Sequence, residues 1–332
     1  DTPVTTGSIY LSSAEAGVDN EGSAVAVLNP SGLTNKLFDN ISDVDDGSFT
    51  AAQAKLYGGS YAAVPAGSTS DSNGLNITGS FGTLTVGADG SYVYNINEVV
   101  TNSWDENDYE TETFVVQVSD GSGAAVEQTV LVYVYGTNDA PVAGVKITNE
   151  GAIEAGVAAN GSSVETVNAS GGENALFTGV TDVDDNSFTV AQAKLSGSSY
   201  AAVTAGSTSV SNGLAIAGSY GTLTVGADGS YVYVVTNDNE VIQALDESET
   251  ITDTFTIQVS DGAGGTAEKT LEIEIQGTND APVAGVKITN EGAIEAGVAA
   301  NGSSVETVNA SGGENALFTG VTDVDDNSFT VA

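Results

Sequence analysis

The sequence predicts an all-β chain, built as tandem antiparallel β-sandwiches joined end to end. Three observations predict it. Residues 136–191 recur without change as residues 277–332, a block of 56 residues repeated 141 positions on, and a period of that size is one domain long. Short segments alternate apolar with polar residues, which buries one face of a strand. Asp-Gly and Gly-rich turns separate those segments, and no stretch keeps the 3.6-residue apolar period of a helix.

The elements follow in chain order. The first unit is more divergent, but its "DVDD" (residues 43–46) returns as residues 182–185 and 323–326, and "FGTLTVGADGSYVY" (81–94) is answered by "YGTLTVGADGSYVY" (220–233). Within that phrase "GADG" reads as the hairpin turn between two strands. Later, Phe255, Ile257 and Val259 alternate with Thr256, Gln258 and Ser260, and Leu271, Ile273 and Ile275 with Glu272, Glu274 and Gln276. "SDGAGG" turns between them. The expected domains are residues 1–139, residues 140–280 and a partial third repeat, residues 281–332.

Composition narrows the chemistry. The 332 residues hold 45 acids against six Lys and no Arg, a formal charge of −39, with no His, Cys or Met. Zinc, copper and haem lose their usual ligands, and the commonest general bases and nucleophiles are missing. No enzyme is expected. Nor is nucleic acid or an anionic membrane surface a partner for such a field, and no apolar run is long enough for direct membrane insertion. A start at Asp1 without Met and a stop inside a repeat read as an interior slice of a longer chain.

Oxygen ligands remain. Asp43 and Asp45, two apart in extended chain, project to one side and repel one another. A hard cation reverses the sign of that interaction, since Ca²⁺ takes six to eight oxygens from carboxylates, amides and backbone. Asn138 and Asp139 offer the complement in "GTNDAPVAG", where Pro141 holds Ala140 extended; Asn279, Asp280 and Pro282 repeat it. The alternative is a solvated acidic loop. An EF-hand is excluded, because its twelfth position falls on Ala54 rather than Glu.

At "ALDESETITDTFTIQVSDGAGGTAEKTLEIEIQGTNDAPVA", preceded by "YGTLTVGADGSYVYVV", the chain resembles the VCBS or cadherin-like repeats of giant bacterial RTX-type surface adhesins. The likeness covers nearly the whole chain. It implies calcium-stiffened cadherin-like (Ig-like) sandwiches lying outside the cell, between a cell anchor and a distal ligand-binding region used for attachment or biofilm formation. The implied junction ligands are Glu15, Asp105, Asn138, Asp139, Asp182, Asp184 and Asp261, then Glu154, Asp246, Asn279, Asp280, Asp323 and Asp325. Asp43, Asp45 and Asp120 hold the matching places on the first unit. The implied partners are calcium ions and adjacent repeats of the same chain. The stretch before each "DVDD" is longer than a plain cadherin-like start, and the third unit ends before its own "VSDG".

One contrast suggests a second function. Leu131, Tyr133 and Tyr135 stand where the next unit has Glu272, Glu274 and Gln276, and Trp104 and Tyr109 are near in sequence. Either these aromatics form a surface for glycan or a neighbouring chain, or they cover a local elaboration such as the N-terminal "SIYL".

Overall fold

The computed structural model describes residues 1–158 and 160–284, then residues 287–289, 293, 297–298, 304–305, 310–314, 316–323, 325–326 and 329. Much of the expected third repeat therefore lies outside the described residues. Two compact units are formed. The first comprises Asp1–Val145 with Gly179–Ala191 and Gln258–Lys269; the second comprises Lys146–Thr178, Gln192–Ile257 and Thr270–Ala332.

The chain is nearly all β. In the first repeat a five-stranded sheet runs in the order Ile9–Ala14, Ala125–Tyr135, Tyr109–Ser119, Thr50–Leu56, Ala62–Ala63, and a four-stranded sheet in the order Ser31–Gly32, Tyr92–Ile96, Gly82–Val86, Leu75–Thr78. Period-two patterning explains their packing. Phe114, Val116 and Val118 of one long strand and Val130, Val132 and Val134 of its neighbour are fully buried, each contributing roughly 1.5–3 kcal/mol of transfer free energy. Leu84 and Tyr94 are buried with them, and Tyr94 meets Phe114 edge to face at 6.2 Å. The second repeat copies both sheet orders, from Ile147–Ile153 to Ala201–Ala202 and from Ala169–Gly171 to Leu214–Ala217.

One part of the expectation is corrected. The sandwiches are not wholly antiparallel, because an early strand of each repeat lies parallel to its last: Ile9–Ala14 on Ala125–Tyr135 and Ile147–Ile153 on Thr266–Gln276. Alternation in sequence fixes which face of a strand is buried; it carries no information about which neighbour the strand joins or in which direction.

Each core also holds a carboxylate. Glu112 accepts the N–H of Ser80 at 2.7 Å and the Tyr94 hydroxyl, and Asp253 accepts Ser219 N–H at 2.9 Å, Tyr220 N–H at 3.1 Å and the Tyr233 hydroxyl at 2.6 Å. Burial, followed by these acceptors, pushes both tyrosine hydroxyls far above their ordinary range. A further buried polar pair differs between repeats: Gln128 donates to Gly7 O at 2.9 Å, whereas Lys269 donates to Ala143 O at 2.7 Å. Among the described residues no helix is long and apolar enough to cross a membrane.

Candidate metal centre

The linker after Ala125–Tyr135 is held by close backbone contacts. A Cβ on Gly136 would lie 2.6 Å from Trp104 O and Asp105 O, so the loop bearing Asp105 packs directly on it. Gly17 is equally constrained, since a Cβ there would come within 2.5 Å of Asn138 O. Val18 N–H then donates to Asn138 O at 2.7 Å, and Thr137 N–H to Glu15 Oε1 at 3.1 Å. Glu15 and Asn138, each 1% exposed, are thereby fixed side by side.

From this base the linker gathers acids from distant segments of the same compact unit. Asn138 Nδ2 donates to Asp139 O at 2.7 Å and to Asp261 Oδ2 at 3.1 Å. Asp139 N–H donates to Asp184 Oδ2 at 2.8 Å, and Asp184 N–H to Asp182 Oδ1 at 3.4 Å. Six of the expected ligands are thus brought together. Asp105 lies at the exposed rim, where its field helps push Asp185 up, after burial.

Acceptors outnumber donors in the cluster, where the hydroxyls of Thr101 and Thr137 are the other buried unmatched groups among the described residues. Glu15 Oε2, Asn138 Oδ1, Asp139 Oδ2, Asp182 Oδ2 and Asp184 Oδ1 are all buried without a hydrogen-bond partner. All five are acceptors, and buried acceptors left unmatched are costly. Burial pushes Glu15 up to about 7, partly offset by Thr101 and Thr137 N–H, while Asp139 and Asp184 add to the rise. Asp182 is also pushed up to about 7 by burial, then by the Asp184 side chain. Carboxylates and an amide oxygen, with no nitrogen or sulfur donor, form a set that suits Ca²⁺.

The second junction repeats the construction within the second unit. Glu154 Oε1 accepts Thr278 N–H at 2.8 Å, Val157 N–H reaches Asn279 O at 2.6 Å, and Asp280 N–H donates to Asp325 Oδ2 at 2.7 Å. Asp325 N–H reaches Asp323 Oδ1 at 3.5 Å. Among the described residues Glu154 Oε2, Asp280 Oδ2 and Asp325 Oδ1 are buried without a hydrogen-bond partner, as is the Thr278 hydroxyl, and burial pushes Glu154 up to about 7. Asp246, like Asp105, is exposed at the rim; its backbone oxygen would lie 2.6 Å from a Cβ on Gly277.

A third acidic face lies on the first repeat. Asp43, Asp45 and Asp46 bring one carboxylate oxygen each within 4.8 Å of one another, and Asp43 Oδ2 and Asp120 Oδ2 are buried without partners. Here Asp1 N lies 3.3 Å from Asp45 Oδ1, as Asp139 N–H meets Asp184 at 2.8 Å. Asp43 is held below its usual value by Asp45 N–H first, whereas its counterpart Asp182 is raised by burial.

Sequence reasoning missed Asp1, Asp46, Asp185 and Glu98. For the first three a signal existed, since Asp1 opens "DTPV" as Asp139 opens "DAPV", and "DVDD" has a final acid. Glu98 has none, because it reaches the site only through a contact with Ala16.

The junction also has a contact that needs no metal. Gly264, at φ +116°, lies against the loop of Asp19 and Asn20, where a Cβ would fall 2.2 Å from Asp19 O. Its counterpart Gly123, at φ +102°, has nothing within 4 Å.

The aromatics divide into two groups. Trp104 packs edge-on against Phe81 at 5.0 Å as part of the core rim, so it is half-buried rather than a free platform. Tyr133 and Tyr135 stack at 6.5 Å, and Tyr109 meets Tyr135 at 5.7 Å. The "SIYL" strand lies beside them, with Tyr10 paired in register with Leu131 and itself 66% exposed.

Comparison with known proteins places these features. Residues 138–277 match the family described as bacterial cadherin-like domain, from one linker to the next, and residues 34–178 match the Spy0128-like isopeptide containing domain. No curated protein matches the chain significantly. Among solved structures it is similar to mouse cadherin-23 EC22-24, with 13% identity over 99% of this chain and 80% of that one and a TM-score of 0.38. It is similar also to Drosophila N-cadherin EC1-4, with 11% identity over 83% and 50% and a TM-score of 0.35. For human mucin-like protocadherin EC1-2 the values are 14%, 82%, 97% and 0.31. Overlaps of that size carry no weight alone. Residues 138–277 thus match a bacterial cadherin-like domain, and the sheet orders of that stretch recur in the first repeat.

Proposed function

We propose that this chain is a calcium-stiffened extender of a bacterial cell-surface adhesin, carrying a distal ligand-binding region away from the cell for attachment or biofilm formation. The observation that supports it is the set of five unmatched buried acceptors around Asn138 and Asp139. Glu15, Asn138, Asp139, Asp182, Asp184 and Asp261 would hold the ion, with Asp105 at the rim. Bound calcium supplies charge neutralisation; the chain's own residues fix the linker through Thr137, Asn138 and Asp139. Glu154, Asn279, Asp280, Asp323 and Asp325, with Asp246 at the rim, would do the same at the second linker. Asp43, Asp45 and Asp120 would do so on the first repeat. The repeats are taken as residues 1–139, 140–280 and 281–332, within an RTX-type adhesin of VCBS repeats. Calcium titration followed by melting and by protease protection of residues 138–142 tests the reading; no response to calcium in either would refute it.

The tyrosine row favours a second reading, a binding module on the first repeat contacting glycan or a neighbouring chain through Tyr133 and Tyr135. A glycan array separates the two, since an extender alone gives no signal. The match to an isopeptide-containing domain adds no third reading. Of the lysines it spans, Lys36 is exposed and paired with Asp39 at 3.0 Å, Lys55 lies 4.2 Å from the Tyr61 ring and Lys146 is exposed and paired with Glu272 at 2.5 Å.

A further inference from the structure

Glu98 begins the short helix Glu98–Thr101, and its Oε1 accepts the backbone N–H of Ala16 at 3.3 Å. Ala16 directly follows Glu15, so this bond holds one more carboxylate beside the buried one. Asp139 is pushed up by burial, then by Asp184, then by Glu98. The Ala16 bond places the Glu98 carboxylate one residue from Glu15, whose Oε2 is buried and unmatched.

The second repeat has the same hydrogen bond without the charge. Ala155, which directly follows Glu154, donates its N–H to Asn237 Oδ1 at 2.6 Å, and Thr166 adds its hydroxyl at 3.2 Å. Asp280 is raised by burial and then by Asp325. The two positions do equal structural work, an acceptor for the N–H after the buried glutamate. They differ by one unit of charge.

We infer that Glu98 is an affinity-setting residue of the first junction, strengthening its hold on calcium relative to the same site carrying asparagine, as the second junction does at Asn237. The inference rests on the calcium reading proposed above. Calcium affinity follows the number of charges around the ion. Because Glu98 is exposed, water and salt attenuate its field, and the effect is about threefold to tenfold rather than many decades.

The test uses the full chain and reads each junction separately. Limited proteolysis across a calcium series gives a midpoint of protection for residues 138–142 and another for residues 279–283, distinguished by fragment mass. Glu98→Gln keeps the acceptor and removes the charge. It should raise the first midpoint about threefold to tenfold, leaving the second midpoint unchanged and the calcium-free melting temperature no lower. Asn237→Asp should lower the second midpoint. Calcium protection of both linkers with neither midpoint moved would overturn the inference while leaving the calcium reading intact. Absence of calcium protection in every variant would overturn both. Should Glu98→Gln also weaken the calcium-free fold, Asn237→Asp decides: a lowered second midpoint supports the inference and an unmoved one ends it.

Discussion

Asn138 donates its side-chain amide to Asp261, 3.1 Å away and 123 positions later, while its own side-chain oxygen is buried without a donor. One side chain thus commits its N–H to organising the junction and leaves an acceptor available to an ion. Asn138→Asp removes the donor and adds a sixth carboxylate to Glu15, Asp139, Asp182, Asp184 and Asp261. The calcium-free melting temperature should fall, and calcium should restore part of the loss. Equal melting of variant and parent without calcium would show that the amide contact is immaterial.

Calcium should stabilise the chain and magnesium substitute poorly, because a flexible carboxylate cage suits the larger ion. For a Kd of about 10 μM, calcium at about 1 mM adds ~2.7 kcal/mol by mass action. Calorimetry before and after chelation measures it; superimposable transitions would contradict the calcium reading.

Asp139→Ala keeps the backbone N–H that reaches Asp184 and removes an unmatched oxygen. Without calcium the variant should be as stable as the parent or slightly more so, since a buried repulsion is relieved. Its response to calcium should be largely lost. Melting with and without the ion gives both numbers, and an unchanged calcium response would place the ion elsewhere.

The pH dependence should reverse with the metal. Glu15, Glu154 and Asp182 are pushed up to about 7, above their ordinary values of 4.5 and 3.8. Between those limits the folded, calcium-free chain binds more protons than the unfolded one, so its stability falls as pH rises and the loss is complete above about 7. Calcium needs the ionised forms. The stabilisation it gives should be greatest above about pH 7 and shrink towards pH 5; parallel melting profiles with and without calcium would exclude this linkage.

Gly264→Ala should loosen the linker, because it forces a Cβ against Asp19 O in addition to straining a backbone at φ +116°. Gly123→Ala carries only the strain, about 1–3 kcal/mol. Faster cleavage of residues 138–142 is expected for the first variant and not the second. If both behave alike, the contact contributes nothing beyond backbone conformation.

The legible parts of this molecule are those written locally. Val130, Val132 and Val134 alternate, and the strand and its buried face follow. Repetition marked the linker, and paired acids marked its receiving face. What could not be read depends on distant segments meeting. The parallel pairing of Ile9–Ala14 is a choice of neighbour, which alternation does not encode. Glu98 looks like an ordinary acid at a helix start until the fold brings it to Ala16. Trp104, conspicuous as the single tryptophan, is half-buried because Phe81 lies beneath it.

The unvarying block of residues 136–191 contains Asn138 and Asp139 as well as Asp182 and Asp184, the two sides of the Asp139–Asp184 contact. Both halves of that coupling are inherited together. Unequal recombination within the block can add or delete whole repeats, and each product still carries a matched linker and receiving face. The number of repeats can then change while the Asp139–Asp184 contact is kept. Glu98 and Asn237 lie outside the block, so the strength of each coupling is left to diverge copy by copy.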